Sequence, residues 1–205
     1  MPPATQPATP TSVTLAVTYH SQQDPDWCDP ADLQMWLQAD GVTLPPGDDH
    51  AIQQQLWDYE VSHNDGYTVQ QWDASPYAVA VTLNHFASRS DIGDAPQPSL
   101  EAAGIQISRS LTVSHEPVIV MLGGGAHYVL ITGAALGPDG TEAPPVEVTV
   151  DDPLKYGVGG TSPDPSHGTT MSWDQFAGSY TANTNHGGIW ADKWVLIAPG
   201  ISLEG

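Results

Sequence analysis

The sequence has very few basic residues. Only 4 Lys and Arg residues stand against 24 Asp and Glu residues, so the formal net charge at pH 7 is −20. Proteins grip nucleic acids and other polyanions mainly through Lys and Arg, and a strongly acidic surface repels them. The composition therefore excludes nucleic acid as an expected partner, and it favours solubility or tolerance of acid or salt outside the cell.

Cysteine is almost absent, because Cys28 is the single one in the chain. An internal disulfide and a cysteine-rich zinc site are thereby excluded. The histidines other than His127 show neither the i, i+4 pairing nor the HExxH pattern of metal ligands, so they are expected to be solvated or structural. These are His20, His50, His63, His85, His115, His167 and His186. We expect no metal and no cofactor.

Long apolar runs are also missing, and none approaches the ~20 residues that a membrane-spanning helix needs. The opening PPATQPATPTS is typical of a flexible stalk that follows an export signal, which predicts an extracellular or cell-envelope location. We expect a flexible segment over 1–12, one domain over 13–198 and a tail over 199–205. A monomer is expected.

The first half of the chain is mainly helical in pattern. A strand over 12–20 leads to a helix that starts near Cys28, with apolar residues on two faces, so this helix is expected to be central and buried. Asp48 or Asp49 is placed to cap a second helix, and Ser75 followed by proline a third. A further helix is expected over 99–115.

The second half changes character at Pro117. The segments PVIVML, AHYVLITGAAL, VEVTVD and IWADKWVLIA have the residue types and alternation of strands, with glycine-rich turns between them. The predicted fold class is α+β, with a helical N-terminal half that carries Cys28 and an antiparallel β C-terminal half that carries His127 and Asp152.

Cys28 is predicted to lie at the start of its helix. Asp26 is placed to cap the helix and Pro30 fits its first turn. Backbone N–H groups and the helix dipole at this end favour a thiolate, against the opposing effect of the neighbouring aspartates. Asp29 and Asp32 are expected to stabilise the first turn with their side chains directed to solvent. For this segment alone, a buried inert cysteine is the more frequent case.

A nucleophilic cysteine needs a base, a group that orients the base, and donors for the oxyanion. His127 opens a strand and shares its parity with apolar residues, so it is expected to face inward. Asp152, rather than Asp151, continues the buried parity of VEVTVD and is placed to orient the imidazole. Gln22, six residues before Cys28, is the favoured oxyanion donor. Gln23 is the less favoured alternative.

Three further residues are predicted to contact substrate. Trp27, next to the cysteine, is expected to line a subsite. Gly124 and Gly125 allow close approach of a substrate to the backbone, although the three consecutive glycines that include them also suit a plain turn between strands.

Gln22, Trp27-Cys28 at a helix start, GGGAHYVLITG around His127, a strand that ends in Asp152-Pro153, and SWDQF over 172–176 together resemble the papain-like superfamily. More narrowly, the chain is similar to the bacteriocin-processing, double-glycine peptidase-like family, as a free-standing domain. This resemblance covers roughly residues 15–198. It implies a papain-like fold with Cys28 as nucleophile, His127 as base, Asp152 as orienting acid and Gln22 as oxyanion donor.

The sequence departs from that family in two ways. Family members usually have glycine after the cysteine, where this chain has Asp29, and the ATP-binding transporter domain that often accompanies the peptidase is not in this sequence. The resemblance still implies a thiol-dependent peptidase that acts on a peptide or protein. We expect Cys28 and His127 to form an ion pair, so that the Cys28 thiolate is alkylated at about pH 5. The same triad also suits an acyltransferase or deamidase, and a non-catalytic papain-fold binding module is the third reading.

Overall fold

The computed structural model describes residues 11–154, 168–201 and 203. Helices predominate in the first half of this part of the chain and strands in the second half. In order, they are β1 (Ser12–Thr14), α1 (Cys28–Ala39), α2 (Asp49–Ser62), α3 (Pro76–Phe86), β2 (Ile92–Gln97), α4 (Leu100–Arg109), β3 (Val118–Leu122), β4 (His127–Ala135), β5 (Glu147–Asp151), β6 (Thr169–Ser172), α5 (Trp173–Ala177) and β7 (Trp194–Pro199). Most of the predicted flexible segment and part of the predicted tail lie outside the described residues.

The strands form one 7-stranded sheet in the order β2-β7-β3-β4-β5-β6, with β1 paired to β4. All these pairs are antiparallel. Because β4 and β5 pair antiparallel, the start of β4 and the end of β5 lie at the same end of the sheet. His127 and Asp152 are therefore brought to one place by the pairing of their strands.

Both faces of the central strands are covered by helices. Along β3, Ile119 and Met121 join the apolar cluster beneath α1, α2 and α3, while Val118 and Val120 join the cluster beneath α4 and α5. A strand buried on both faces reads as a continuous apolar run rather than as strict alternation. This arrangement explains why PVIVML and AHYVLITGAAL are largely apolar rather than strictly alternating.

The predicted helix starts are confirmed for two helices. The Asp48 side chain accepts from the Ala51 N–H before α2, and the Ser75 side chain accepts from the Ala78 N–H before α3. The fourth predicted helix is α4, which continues into a π-helical turn over Ser110–Ser114. The mixed helix and antiparallel-sheet class is confirmed.

Two strand predictions needed correction, and the strands β2 and β6 were not predicted. The strand predicted over 12–20 pairs only at β1, because the following chain leaves the sheet and packs Val17 and Tyr19 against the cluster beneath α1. β2 was missed because IGDAPQ contains Gly and Pro, which an edge strand tolerates. In IWADKWVLIA only the part from Trp194 is a strand. No helix in the described ranges is long and apolar enough to cross a membrane.

Candidate active site

Cys28 is the first residue of α1. Trp27 occupies the N-cap position without a side-chain cap, so the predicted capping by Asp26 is wrong. Pro30 fits the first turn, where its missing N–H leaves no helical bond unmade. The prediction that the cysteine lies at the helix start is confirmed, and its thiol is half-buried beside the end of the sheet.

His127 and Asp152 are joined by a hydrogen bond. His127 Nε2 donates to Asp152 Oδ1 over 2.8 Å, and the Leu154 N–H donates to the same oxygen over 2.9 Å. Burial by itself raises the pKa of Asp152, but the His127 hydrogen bond and charge and the Leu154 N–H outweigh it and lower that pKa overall. The carboxylate thus stays ionised. It holds the imidazole by Nε2, so that Nδ1 is the ring nitrogen that does not contact Asp152. Nδ1 has no hydrogen-bond partner among the described residues.

The Asp152 side chain is 37% exposed, so the parity argument, which set Asp152 on the buried face and Asp151 on the solvent side, is wrong for both: the more buried residue is Asp151. It is 5% exposed, accepts from the Thr132 hydroxyl over 2.9 Å, and bonds the Gly168 N–H. Parity did not separate the two aspartates because both faces of β5 are covered. What separates them is the partner, since only Asp152 bonds His127.

Cys28 and His127 line the same cavity, whose volume is about 170 Å³. The backbone of Tyr128, the residue after His127, is close enough to Cys28 to lower the pKa of the thiol, against the larger effect of burial. The thiol therefore lies against the start of β4. Two stretches that are far apart in sequence, the helix start and the first strand residues, form the two sides of this cavity.

Three carboxyl groups lie buried around the first turns of α1. Asp29 is 1% exposed, while Asp32 and Glu60 are fully buried. The expectation that Asp29 and Asp32 point to solvent is therefore wrong. The physical reason is that α1 is central and packs on β4, α2 and α3, so its first turns have no solvent-facing side.

Burial raises the pKa of all three carboxyl groups. It is the first cause for Asp29, whose pKa reaches about 8, and it raises the pKa of Asp32 and Glu60 well above their usual range. Asp29 and Glu60 shift each other's pKa through their side chains, and neither carboxyl oxygen of Glu60 has a hydrogen-bond partner among the described residues. Because the pKa of Asp29 is about 8 and that of Glu60 is also raised, this buried pair keeps at least one proton near neutral pH.

The pKa of Cys28 is raised rather than lowered. Burial is the main cause and the neighbouring Asp29 is the second, whereas backbone hydrogen bonds from Tyr128 and Asp29 only partly oppose them. The Sγ atom lies 3.9 Å from Asp29 Oδ1. The expected thiolate and its labelling in acid are therefore not supported, because the helix end does not offset loss of water around the sulfur.

Gln22 lines the cavity beside Cys28, whereas Gln23 is exposed and outside it. The Gln22 amide nitrogen donates to the carbonyl oxygens of Asp24 and Pro25, over 2.9 and 2.7 Å. Its N–H groups are thus engaged by its own loop in this conformation. Its role as oxyanion donor stays a prediction.

The predicted substrate residues are placed differently. Trp27 is 6% exposed, and its ring packs on His50 and Trp57, so it is a core residue rather than a cavity wall. Gly125 lines the cavity. Gly124 instead turns the chain with a positive φ of 69° and accepts from the Thr184 and Asn185 N–H groups.

Sequence reasoning missed other cavity residues, chiefly Trp72, Asp73 and His186. Trp72 and His186 stack with ring centroids 3.9 Å apart. His186 lies 59 positions beyond His127 in a loop, and no periodicity or motif links it to the cysteine. Among the residues that the structure describes, no group of three or more His, Cys, Asp and Glu is arranged to hold a metal ion.

No family model matches the sequence, and no curated protein matches it. Solved structures do. A double glycine motif protease from an AMS/PCAT transporter, in complex with a leader peptide, is 13% identical over 91% of this chain and 94% of its own, with a TM-score of 0.47. The peptidase domain of Streptococcus ComA is 17% identical over 89% of this chain and 99% of its own, also with a TM-score of 0.47.

UfSP from C. elegans is 17% identical over 97% of this chain and has a TM-score of 0.51. This chain spans 35% of the length of UfSP. At such identities a likeness shows the fold alone. The predicted papain-like α+β fold is confirmed.

Proposed function

We propose that this chain is a cysteine peptidase that hydrolyses peptide bonds with Cys28, His127 and Asp152. One observation carries the proposal. Cys28, at the start of a buried helix, and His127, whose Nε2 is held by Asp152, line one cavity. A nucleophile, a base and a group that orients the base are the parts that acyl transfer through a covalent intermediate requires.

In the proposed reaction the resting cysteine is a thiol, because its pKa is raised. As the peptide carbonyl binds, the thiol proton passes to His127 Nδ1 while the sulfur–carbon bond forms. Asp152 stabilises the resulting imidazolium. His127 then gives this proton to the leaving amine as the carbon–nitrogen bond breaks, and a thioester remains on Cys28.

Hydrolysis of the thioester completes the cycle. His127 takes a proton from water while the hydroxide attacks the acyl carbon, and the sulfur leaves and regains the proton. In both steps negative charge develops on the carbonyl oxygen. The Cys28 backbone N–H is the donor available at the helix start, and we propose the Gln22 amide as the second donor once it leaves the Asp24 and Pro25 carbonyls.

Cleavage of fluorescently labelled casein under reducing conditions tests the proposal. We expect Cys28→Ala and His127→Ala to abolish cleavage, and His85→Ala, which changes an exposed histidine, to leave it unchanged. Cleavage that persists in Cys28→Ala would exclude Cys28 as the nucleophile, whereas no cleavage by the wild-type protein would support a binding module. Incorporation of an added primary amine into casein without cleavage would instead show acyl transfer.

We also propose that the protein works in an acidic environment outside the cytoplasm, at the cell envelope or beyond it. The scarcity of Lys and Arg supports this proposal. The three buried carboxyl groups also support it, because the folded protein is most stable when they are protonated. Fractionation of cells that express the natural gene tests it. Recovery of the protein entirely in the cytosolic fraction would contradict it.

A further inference from the structure

Both ring nitrogens of His186 face carbonyl oxygens. Nδ1 lies 2.9 Å from the oxygen of Gln71, and Nε2 lies 3.1 Å from the oxygen of Gly125. A carbonyl oxygen can only accept a hydrogen bond, and a neutral imidazole has only one N–H to donate. Two such bonds therefore require the imidazolium form, in which both nitrogens carry a proton.

The surroundings of the ring favour a positive charge. The ring stacks on the indole of Trp72 with centroids 3.9 Å apart and planes 23° apart, and a cation over an indole face is stabilised. Asp73, the residue after Trp72, feels the charge of His186, which lowers the pKa of Asp73 against the larger effect of burial. The other titratable groups on the cavity wall are Asp26, Cys28, Asp29, His127 and Tyr128.

The ring is held in place by a buried amide. Asn183 is 1% exposed, its Oδ1 accepts from the backbone N–H groups of Asn185 and His186, and its Nδ2 donates to the His186 carbonyl oxygen. The side chain of Asn183 thus uses its bonds to shape the loop that presents His186. An exposed histidine on a loose loop would not be fixed in this way.

The opposite side of the contact has room only for glycine. A Cβ atom at position 125 would lie 2.6 Å from Asn183 Oδ1 and 3.0 Å from His186 Cδ2, and the φ of Gly125 is +109°. Gly125 precedes His127 by two residues. The loop that leads into β4 is therefore packed directly against the Asn183–His186 segment.

We propose that His186 is a positioning residue, which as an imidazolium ties the cavity wall at Gln71 and Trp72 to Gly125 and so fixes the loop that delivers His127. A neutral ring has only one N–H, so it would leave one of the two carbonyl oxygens without a donor and free the loop. The catalytic consequence rests on the proposed peptidase function, whereas the protonation of the ring does not.

Two substitutions separate the bonds from the stacking. His186→Phe keeps a ring on Trp72 but removes both donors, and His186→Arg keeps a planar cation that stacks and donates at every pH used. His63→Phe is the matched control, because His63 is an exposed histidine that stacks on Tyr59 at 4.0 Å and 17°, outside the cavity.

Casein cleavage is followed from about pH 4 to 9. Hydrolysis of a short fluorogenic peptide gives kcat and KM over the same range. A misplaced base lowers the rate of chemistry, so we expect His186→Phe to lower kcat by about 10-fold at acid pH with KM within about twofold. His186→Arg should keep most of the activity at acid pH. Because Arg stays charged at every pH used, the activity of this variant should also fall less than that of the wild type as pH rises. A lower melting temperature with unchanged kcat and pH profile would reduce His186 to a structural role and overturn the proposal.

A second measurement does not depend on activity. In the Cys28→Ala variant, the ¹⁵N shifts of the His186 imidazole are followed by NMR over the same pH range. We expect the shifts of two protonated nitrogens wherever the contacts to Gln71 and Gly125 are intact. A neutral ring throughout would overturn the inference, while a protonated ring in a chain that cleaves no peptide would refute the peptidase and leave the contact standing.

Discussion

The carboxyl group of Asp29 lies against the sulfur of Cys28, with 3.9 Å between Oδ1 and Sγ. Asp29 is also coupled to Glu60, since each carboxyl group shifts the pKa of the other, and both residues are buried. The nucleophile of the proposed peptidase therefore sits beside a carboxyl group that carries a proton below about pH 8 and a negative charge above it. This relationship distinguishes the site from one with glycine after the cysteine, and it makes the chemistry of the thiol depend on pH.

We predict that Asp29→Asn makes Cys28 react with iodoacetamide at lower pH. Wild-type labelling should rise only toward alkaline pH, because burial and then the Asp29 charge raise the pKa of the thiol. Removal of that charge should move the midpoint of labelling down by about one pH unit, equivalent to about 1.4 kcal/mol. Asn still has an N–H with which to bind Glu60.

Asp26→Asn is the control for this experiment, because Asp26 is exposed and is not among the groups that raise the pKa of the Cys28 thiol. Labelling midpoints are read by mass spectrometry of the single cysteine. Rapid labelling of the wild-type protein at about pH 5 would instead support the resting ion pair that the sequence alone predicted.

We predict that the protein is more stable in mild acid than in mild base. Asp29, Asp32 and Glu60 have raised pKa values in the folded state, so the folded state binds more protons than the unfolded state once pH exceeds the ordinary carboxyl values. Their stabilising contribution is full at or below those values and is lost as pH rises toward about 8, the folded-state pKa of Asp29.

Thermal unfolding should therefore give a melting temperature higher by about 5 °C or more at pH ~5 than at pH ~8. Glu60→Gln should make the melting temperature depend less on pH, because Gln has nearly the shape of Glu but no acidic proton. A melting temperature that is equal at the two pH values, or higher in base, would mean that the three carboxyl groups are hydrated in solution.

We predict that Asp152→Asn is milder than Asp152→Ala. An Asn side chain can still accept from His127 Nε2 and hold Nδ1 toward the cavity, but it cannot stabilise the imidazolium by charge. We expect kcat to fall by roughly 10-fold in Asp152→Asn and by about 100-fold or more in Asp152→Ala, with little change in KM.

Asp151→Asn tests whether the effect belongs to this carboxylate rather than to its neighbour. Asp151 bonds Thr132 and Gly168, not His127, so its replacement should lower the melting temperature more than kcat. Equal loss of kcat in the two Asn variants would remove the reason for assigning the orienting role to Asp152.

We predict that Gln22→Ala lowers kcat by about 100-fold, the usual cost of one oxyanion donor. Gln23→Ala is the matched control, since Gln23 lies outside the cavity. If Gln22→Ala alters only the melting temperature, then the bonds from Gln22 to Asp24 and Pro25 are its whole function, and the Cys28 backbone N–H acts without it.

Patterns that depend on near neighbours predicted much of this fold. The helix starts before α2 and α3 follow from Ser and Asp side chains that bond backbone N–H groups three residues on, so they are visible in the sequence. The apolar runs of β3 and β4 are visible for the same reason. β2 was hidden, because an edge strand need not have the composition of a central one.

The candidate site divides in the same way. The sequence by itself determined that Cys28 begins a helix and that His127 opens a strand, because proline placement and apolar periodicity act within a turn or a few residues. Only the tertiary structure decided that His127 bonds Asp152, that Trp27 belongs to the core, and that His186 lies against Gly125.

The same limit explains the buried acids. Whether Asp29 and Asp32 meet water depends on what packs against the first turns of α1, and those neighbours come from α2 and the sheet. Burial sets the cost of a charge, and burial is a property of the assembled chain rather than of any segment. The sequence could therefore place a cysteine at a helix end, while its pKa was decided only when the rest of the protein closed around it.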